Sequence, residues 1–230
     1  MSARFEAKTA IVTGASRGIG LAIAQRLVDD GAKVVITARK QDALDEAVAQ
    51  LGGPEVALAV AGRGDDPAHQ DEAIERAIET FGSADLLVNN TGINPVYGSL
   101  LDVDLDAARK ILEVNVLSTL SWVQKAHRAW LAEHGGAVVN IASVAGLRTE
   151  PGIAFYGVSK AAVMHLTTSL ALEMGPATRV NAVAPAVVKT RFAAALYDGR
   201  EAQDAADNAM DRLGLPHHIR SVLAILQSAH

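Results

Sequence analysis

The chain has 230 residues, of which 50% are hydrophobic and 20% charged, with a formal net charge of −5. That balance supplies a sizeable core and argues against disorder, and it leaves no basic footprint for a nucleic acid partner. With no cysteine, disulfides and thiol chemistry are excluded and a reducing cytoplasm is the expected compartment.

The N-terminus, MSARFEAKTAIVTG, carries charges where a signal peptide needs an apolar run. No apolar stretch reaches the roughly 18 residues of a membrane span. Seven histidines are scattered along the chain. The adjacent His217 and His218 would point about 100° apart on a helix, so no metal site is expected.

Short β-branched runs alternate with longer helical patterns, the mark of one doubly wound parallel sheet in a single α/β domain. Lys8–Thr13 reads as the first strand. Gly18–Asp30 repeats apolar residues at Ile19, Ala22, Ile23 and Leu27, a helical spacing that Gly31 stops. Lys33–Thr37 is the second strand and Gln41–Leu51 a helix with Leu44, Val48 and Leu51 on one face. Val56–Ala61 is a weaker third strand. Asp66 and Pro67 supply a cap and first-turn proline for a helix carrying Ile74, Ala77, Ile78 and Phe81. Ala84–Asn89 and Ala137–Ala142 are the fourth and fifth strands, with one long helix from Asp104 to Trp130 between them. Phe155–Gly175 is a second long helix, Arg179–Ala184 the sixth strand, and the remainder reads as helices.

The first strand runs directly into TGASRGIG, Thr13 to Gly20. A glycine-rich turn between strand and helix exposes backbone N–H groups at a helix N-terminus, which suits a phosphate. Gly14 permits the tight turn, Gly18 lets the backbone approach a pyrophosphate, and Gly20 lets the helix lie close on the sheet. NAD sites place an acidic residue at the end of the second strand, whereas a 2′-phosphate wants a cation. Here that position reads Thr37-Ala38-Arg39-Lys40, with Arg17 in the glycine loop, so NADP(H) is expected over NAD(H).

Tyr156 and Lys160 lie four residues apart, a spacing that alone fits a mixed helix face as well as an acid–base pair. The surrounding motifs decide. Thr13 to Gly20, Asn89-Asn90-Thr91-Gly92, Asn115 in LEVNVL, Ser143 in NIASVAG, and Tyr156 with Lys160 follow in the order of the short-chain dehydrogenase/reductase family, which the chain resembles from Lys8 to Leu226.

The resemblance implies a catalytic set of Asn115, Ser143, Tyr156 and Lys160. Tyr156 exchanges the proton, Ser143 holds the substrate oxygen, Lys160 holds the nicotinamide ribose, and Asn115 positions a relaying water. It implies cofactor contacts from Gly14, Ser16, Arg17, Gly18, Ile19, Gly20, Arg39, Asn90, Gly92, Tyr156, Lys160, Pro185, Val188 and Thr190. An ammonium about 4 Å from the phenol, worth roughly 4 kcal/mol at an effective dielectric near 20, is expected to lower the tyrosine pKa by up to about three units.

Four departures from the family pattern stand out. Thr91 replaces an alanine. Gly62 stands where an aspartate often meets the adenine, with Asp65 and Asp66 slightly later. Pro185-Ala186 replaces Pro-Gly. The chain stops at QSAH, where the family continues into a seventh strand, so an exposed sheet edge and an altered assembly are expected.

The expected function is NADPH-dependent, reversible reduction of a ketone or aldehyde. Ile93 to Asp104 is similar to reductases of ketones, diketones and retinal, and the general pattern to 3-oxoacyl-carrier-protein reductases. The alternative is a shortened, weakly active or non-catalytic dinucleotide-binding partner protein. A substrate lid is expected around residues 191–213, where Phe192, Leu196 and Tyr197 suit an apolar substrate or an ordinary packed loop. The expected assembly is a homo-oligomer, dimer or tetramer.

Overall fold

Runs of small and β-branched residues buried on both faces are what a parallel sheet covered by helices requires. The computed structural model, which describes residues 4–193 and 212–219, builds them into one six-stranded parallel sheet. The strands are β1 (Thr9–Thr13), β2 (Lys33–Ala38), β3 (Ala57–Ala61), β4 (Leu86–Asn89), β5 (Gly136–Ile141) and β6 (Thr178–Val183), in the order β3-β2-β1-β4-β5-β6. Among the described residues β6 is an edge of the sheet, paired only with β5. The order reverses between β1 and β4, the switch point where open α/β sheets open a crevice at their carboxyl ends.

Helices cover both faces. One apolar layer joins Ile23 and Leu27 of α1 (Gly18–Asp29) and Leu44 and Leu51 of α2 (Gln41–Leu51) to Val12, Val34 and Ile36. The other joins Ile74 of α3 (Pro67–Phe81), Trp122 and Leu170 to Ile11, Val35 and Val138. Each fully buried side chain of this size contributes about 1.5–3 kcal/mol through its removal from water. Asp66 caps α3 through Ala68 N–H, with Pro67 in the first turn, as its sequence predicts.

The expected long helix is present but not uniform. Asp104 caps α4 (Leu105–Leu112), which continues through a widened π turn (Glu113–Leu117) into α5 (Ser118–Ala126). A second π turn (His127–Leu131) then leads to α6 (Ala132–His134). The second long helix is α7 (Ala154–Met174), and α8 (Pro216–Ile219) packs against α1.

A buried polar ladder sets the depth of α7. Asn89 Nδ2 donates to Asn140 Oδ1 at 3.0 Å, Asn140 Nδ2 to Thr167 Oγ1 at 2.9 Å, and that hydroxyl to Val163 O at 2.7 Å. Such a chain rewards one register, because slipping the helix strands several buried polar groups.

Residues Leu196 and Tyr197 of the expected lid lie outside the described residues, as does the chain beyond Ile219. No helix among the described residues is long and apolar enough to cross a membrane.

Candidate active site

The carboxyl ends of the strands open into a cleft of about 950 Å³ that takes in both the glycine loop and the Tyr156 region. At the switch point, Gly14 and Gly18 adopt φ of 64° and 62°, a backbone state side chains disfavour. A Cβ on Gly20 would lie 2.6 Å from Asn90 Nδ2 and 2.7 Å from Gly14 O, so that glycine serves the close helix approach rather than the cleft. Asn90 Nδ2 braces the turn by donating to Thr13 O and Gly14 O at 2.9 and 3.0 Å. Thr13 Oγ1 in turn accepts the N–H groups of Asn90 and Thr91, both at 3.0 Å. Thr13 therefore fixes one wall against the other, a role the sequence signalled only as a motif letter. Arg17 precedes α1 with extended backbone and no side-chain cap, and Ser16, Arg17, Gly18 and Ile19 line the cleft.

Ser143, Tyr156 and Lys160 come together at the other end. Two glycines make this possible. A Cβ on Gly157 would meet Ala145 O at 2.4 Å, and one on Gly146 would meet Ala161 N at 2.6 Å, so the turn after β5 sits directly on α7. Its first residue, Ser143, accepts from Ala145 N at 3.2 Å and shares a hydrogen bond with the Tyr156 phenol. Lys160, only 4% exposed, donates to Ile141 O at 2.7 Å.

Asn115 sits in the π turn behind this group. Its Oδ1 accepts from Ile93 N at 2.8 Å, and its Nδ2 donates to Ile93 O and Ser159 Oγ, both at 3.0 Å. Its side chain thus anchors the segment after β4 to α7, and it does not line the cleft. A Cβ on Gly92 would stand 3.4 Å from Lys160 Nζ and 3.5 Å from Asn115 Oδ1, which places Gly92 beside both side chains.

The electrostatics correct one expectation. Burial pushes the Tyr156 phenol up to about 12, and the Ser143 hydrogen bond only partly offsets it. Burial likewise brings the Lys160 ammonium down to about 8. Lys160 does not depress the tyrosine as the spacing suggested. Its Nζ bonds the Ile141 carbonyl and lies 5.7 Å from the phenol ring centre, and desolvation of the phenol dominates.

At the far end, Arg39 and Lys40 are exposed at the end of β2 and line the cleft with Arg17. No carboxylate stands at the end of β2 itself. Gly62 is required by packing, since a Cβ would lie 2.2 Å from the buried His69 ring. Asp66 is committed to its helix cap. Burial would raise the Asp65 carboxyl, but hydrogen bonds from Arg63 and Lys110 outweigh it and hold it at about 2.

Asn90, Gly92, Pro185, Val188 and Thr190 all line the cleft. The loop after β6 is tied down by Lys189 N donating to Gly214 O at 2.8 Å and Gly214 N donating to Val187 O at 2.9 Å. Of the residues expected from sequence, only Gly20 and Asn115 stand behind the wall rather than in it. No sequence motif pointed to Lys110, which enters the cleft wall from α4.

Comparison with known proteins fits this geometry. The family model described as short chain dehydrogenase matches residues 8–201. The chain is 40% identical over 233 residues to Dehydrogenase/reductase SDR family member 4 of Caenorhabditis elegans, covering 98% of this chain and 90% of that protein. It is 38% identical over 229 residues to Tropinone reductase-like 3 of Erythroxylum coca, covering 98% and 88%. A crystal structure described as short-chain dehydrogenase/reductase SDR:Glucose/ribitol dehydrogenase, from Brucella melitensis, superposes with a TM-score of 0.92 at 30% identity, covering 100% of this chain and 92% of that one. Motif order, sheet topology and these likenesses agree: the chain belongs to the short-chain dehydrogenase/reductase family of oxidoreductases, which use nicotinamide dinucleotides.

Proposed function

We propose that the protein is an NADPH-dependent reductase of ketones or aldehydes, reversible as an alcohol dehydrogenase. The observation that carries this is one cleft with two distinct ends. Tyr156, Ser143 and Lys160 line one, and Arg17, Arg39 and Lys40 line the other, where no acidic residue ends β2.

The cleft fits a dinucleotide. The uncapped N-terminus of α1 and the side-chain-free Gly14 and Gly18 suit a pyrophosphate, and a guanidinium fork suits a 2′-phosphate. On this reading Ser16, Gly18 and Ile19 hold the pyrophosphate and Arg17 and Arg39 the 2′-phosphate. Asn90, Gly92, Pro185, Val188 and Thr190 flank the nicotinamide half. NADPH, when bound, supplies a hydride for the carbonyl carbon.

The remaining steps belong to the chain. Ser143 donates to the carbonyl oxygen and fixes it beside the phenol. Tyr156, protonated across the working range because burial keeps its pKa high, donates its proton to that oxygen as it gains charge. Lys160 steadies the ribose and replenishes the proton. Asn115 acts as a positioning residue that holds Ile93 and Ser159 in place. Exposed Leu105, Leu117 and Leu172 on the helical run and α7 support a homo-oligomer.

The test is a parallel fluorescence titration with NADPH and NADH, followed by a carbonyl panel on wild type and Tyr156→Phe. Tighter NADPH binding, with turnover abolished but binding kept in the variant, is the expected result. Wild-type turnover in Tyr156→Phe would overturn the mechanism, and binding without any turnover would favour a non-catalytic binding protein.

A further inference from the structure

Two large apolar side chains line the cleft near Tyr156 without being buried by the fold. Tyr97, from the segment after β4, is 63% exposed, and Phe192, from the loop after β6, is 55% exposed. Phe192 packs against Tyr156 with ring centres 6.0 Å apart at a 48° tilt. Tyr97 is held by a backbone seat. Its ring lies against Gly152, where a Cβ would meet Cζ at 2.5 Å and Cε1 and Cε2 at 2.8 Å.

That seat is built from two loops. Gly98 N donates to Gly152 O at 2.9 Å, joining the segment after β4 to the segment between Ser143 and Tyr156. Gly152 has φ of 80°, a state that glycine adopts without strain. The ring position of Tyr97 therefore follows from the loop that also delivers the acid–base pair. Glu150, a carboxylate that also lines the cleft and lies two residues before Gly152, accepts from Arg148 Nε at 2.7 Å, so its charge is paired.

A ring held in place while exposed gains little from folding and much from an apolar occupant, because its rotamer entropy is already lost. From this geometry we infer that Tyr97, seated on Gly152, is a specificity-determining residue that favours carbonyl compounds bearing a flat apolar ring near the C=O. This rests on the carbonyl-reductase reading above and adds the substrate class and the residue that selects it. The preference is expressed mainly in KM, since the contact is made before and during reaction alike.

The experiment compares kcat/KM for acetophenone and 2-butanone with NADPH in wild type, Tyr97→Ala, Tyr97→Phe and Gly152→Ala. In Tyr97→Ala the acetophenone-to-butanone ratio should fall about five- to tenfold, chiefly through KM, the size expected for one aromatic contact. Tyr97→Phe should restore the ratio. Gly152→Ala, which drives the ring off its seat, should lower it as Tyr97→Ala does. A ratio unchanged in Tyr97→Ala, or a fall that Tyr97→Phe does not restore, would overturn the inference while leaving the reductase reading intact. Absence of turnover of either ketone by wild type would overturn both.

Discussion

Lys160 stands one helical turn beyond Tyr156, yet its ammonium donates to the Ile141 carbonyl at 2.7 Å and lies 5.7 Å from the phenol ring centre. The pair is therefore poised by burial, which acts oppositely on an ammonium and a phenol but disfavours the charged form of each.

For Lys160 this has a consequence for stability. Its pKa is lowered from 10.5 to about 8 in the fold. Below pH 8 it is charged in both folded and unfolded states, and the folded state bears the full burial cost. As pH rises from 8 to 10.5 that cost is relieved, because the unfolded chain then binds the extra proton. Lys160→Met should gain up to about 3 kcal/mol at pH 7, less the lost hydrogen bond, and the gain should shrink toward pH 10. Urea unfolding at the two pH values checks this. An equal difference at both would remove burial as the cause.

Tyr156, pushed to about 12, is held in its protonated form and is rarely ionised. Carbonyl reduction, which needs the protonated phenol, should not lose activity through phenol ionisation between pH 6 and 9. Alcohol oxidation, which needs the phenolate, should rise with pH, approaching about tenfold per unit where the phenol is mostly protonated. Ser143→Ala removes the hydrogen bond that offsets burial and should move the oxidation profile to higher pH. A profile that moves to lower pH would contradict this account.

The elements were legible because each is periodic in its own residues. Gln41–Leu51 is reproduced to the residue, and strand ends shift by one or two, as at Leu86, because burial and ladder bonding rather than composition set where pairing starts. The π turn at Asn115 was not legible. Periodicity over Asp104–Trp130 predicts one uniform helix and cannot show a local widening at Asn115, whose side chain reaches Ile93 and Ser159. Spacing placed Tyr156 and Lys160 on one face but could not say that Lys160 would turn to Ile141. The Asn89–Asn140–Thr167 ladder joins residues far apart in sequence, beyond the reach of any local pattern.

Gly62 and His69 make a tight pair, and neither ring nitrogen of the buried histidine has a hydrogen-bond partner among the described residues. Trp122 meets the ring edge-on, with centres 6.0 Å apart. Gly62→Ala should destabilise the fold by about 1–3 kcal/mol through overpacking. Adding His69→Ala should recover much of that loss by making room, so the double variant is more stable than the sum of the singles implies. Thermal unfolding of the four proteins reads the coupling, and strictly additive changes would mean the two side chains do not compete for space.

Asn115 carries three side-chain hydrogen bonds at 1% exposure. Asn115→Ala leaves Ile93 N–H and Ile93 C=O short of a partner, at about 1–3 kcal/mol for each group that finds no water, while the Ser159 hydroxyl keeps its bond to Tyr156 O. The expected outcome is a markedly lower unfolding midpoint together with reduced turnover. If turnover collapses while the midpoint is unchanged, the anchoring role is wrong and a direct part in proton transfer takes its place.

Arg39 is exposed at the end of β2, where Ala38 leaves no carboxylate to hold a ribose hydroxyl. A charge-assisted hydrogen bond to a phosphate contributes about 1.5–3 kcal/mol. Arg39→Ala should therefore weaken NADPH binding by roughly ten- to a hundredfold and change NADH binding far less. Arg39→Asp should go further, repelling the 2′-phosphate and offering NADH an acceptor for its ribose hydroxyls. High salt should narrow the wild-type preference by screening an exposed guanidinium. Equal weakening of both cofactors in Arg39→Ala would show that Arg39 supports the loop and does not read the phosphate. In that case Arg17 and Lys40, which line the same end of the cleft, become the residues to vary next.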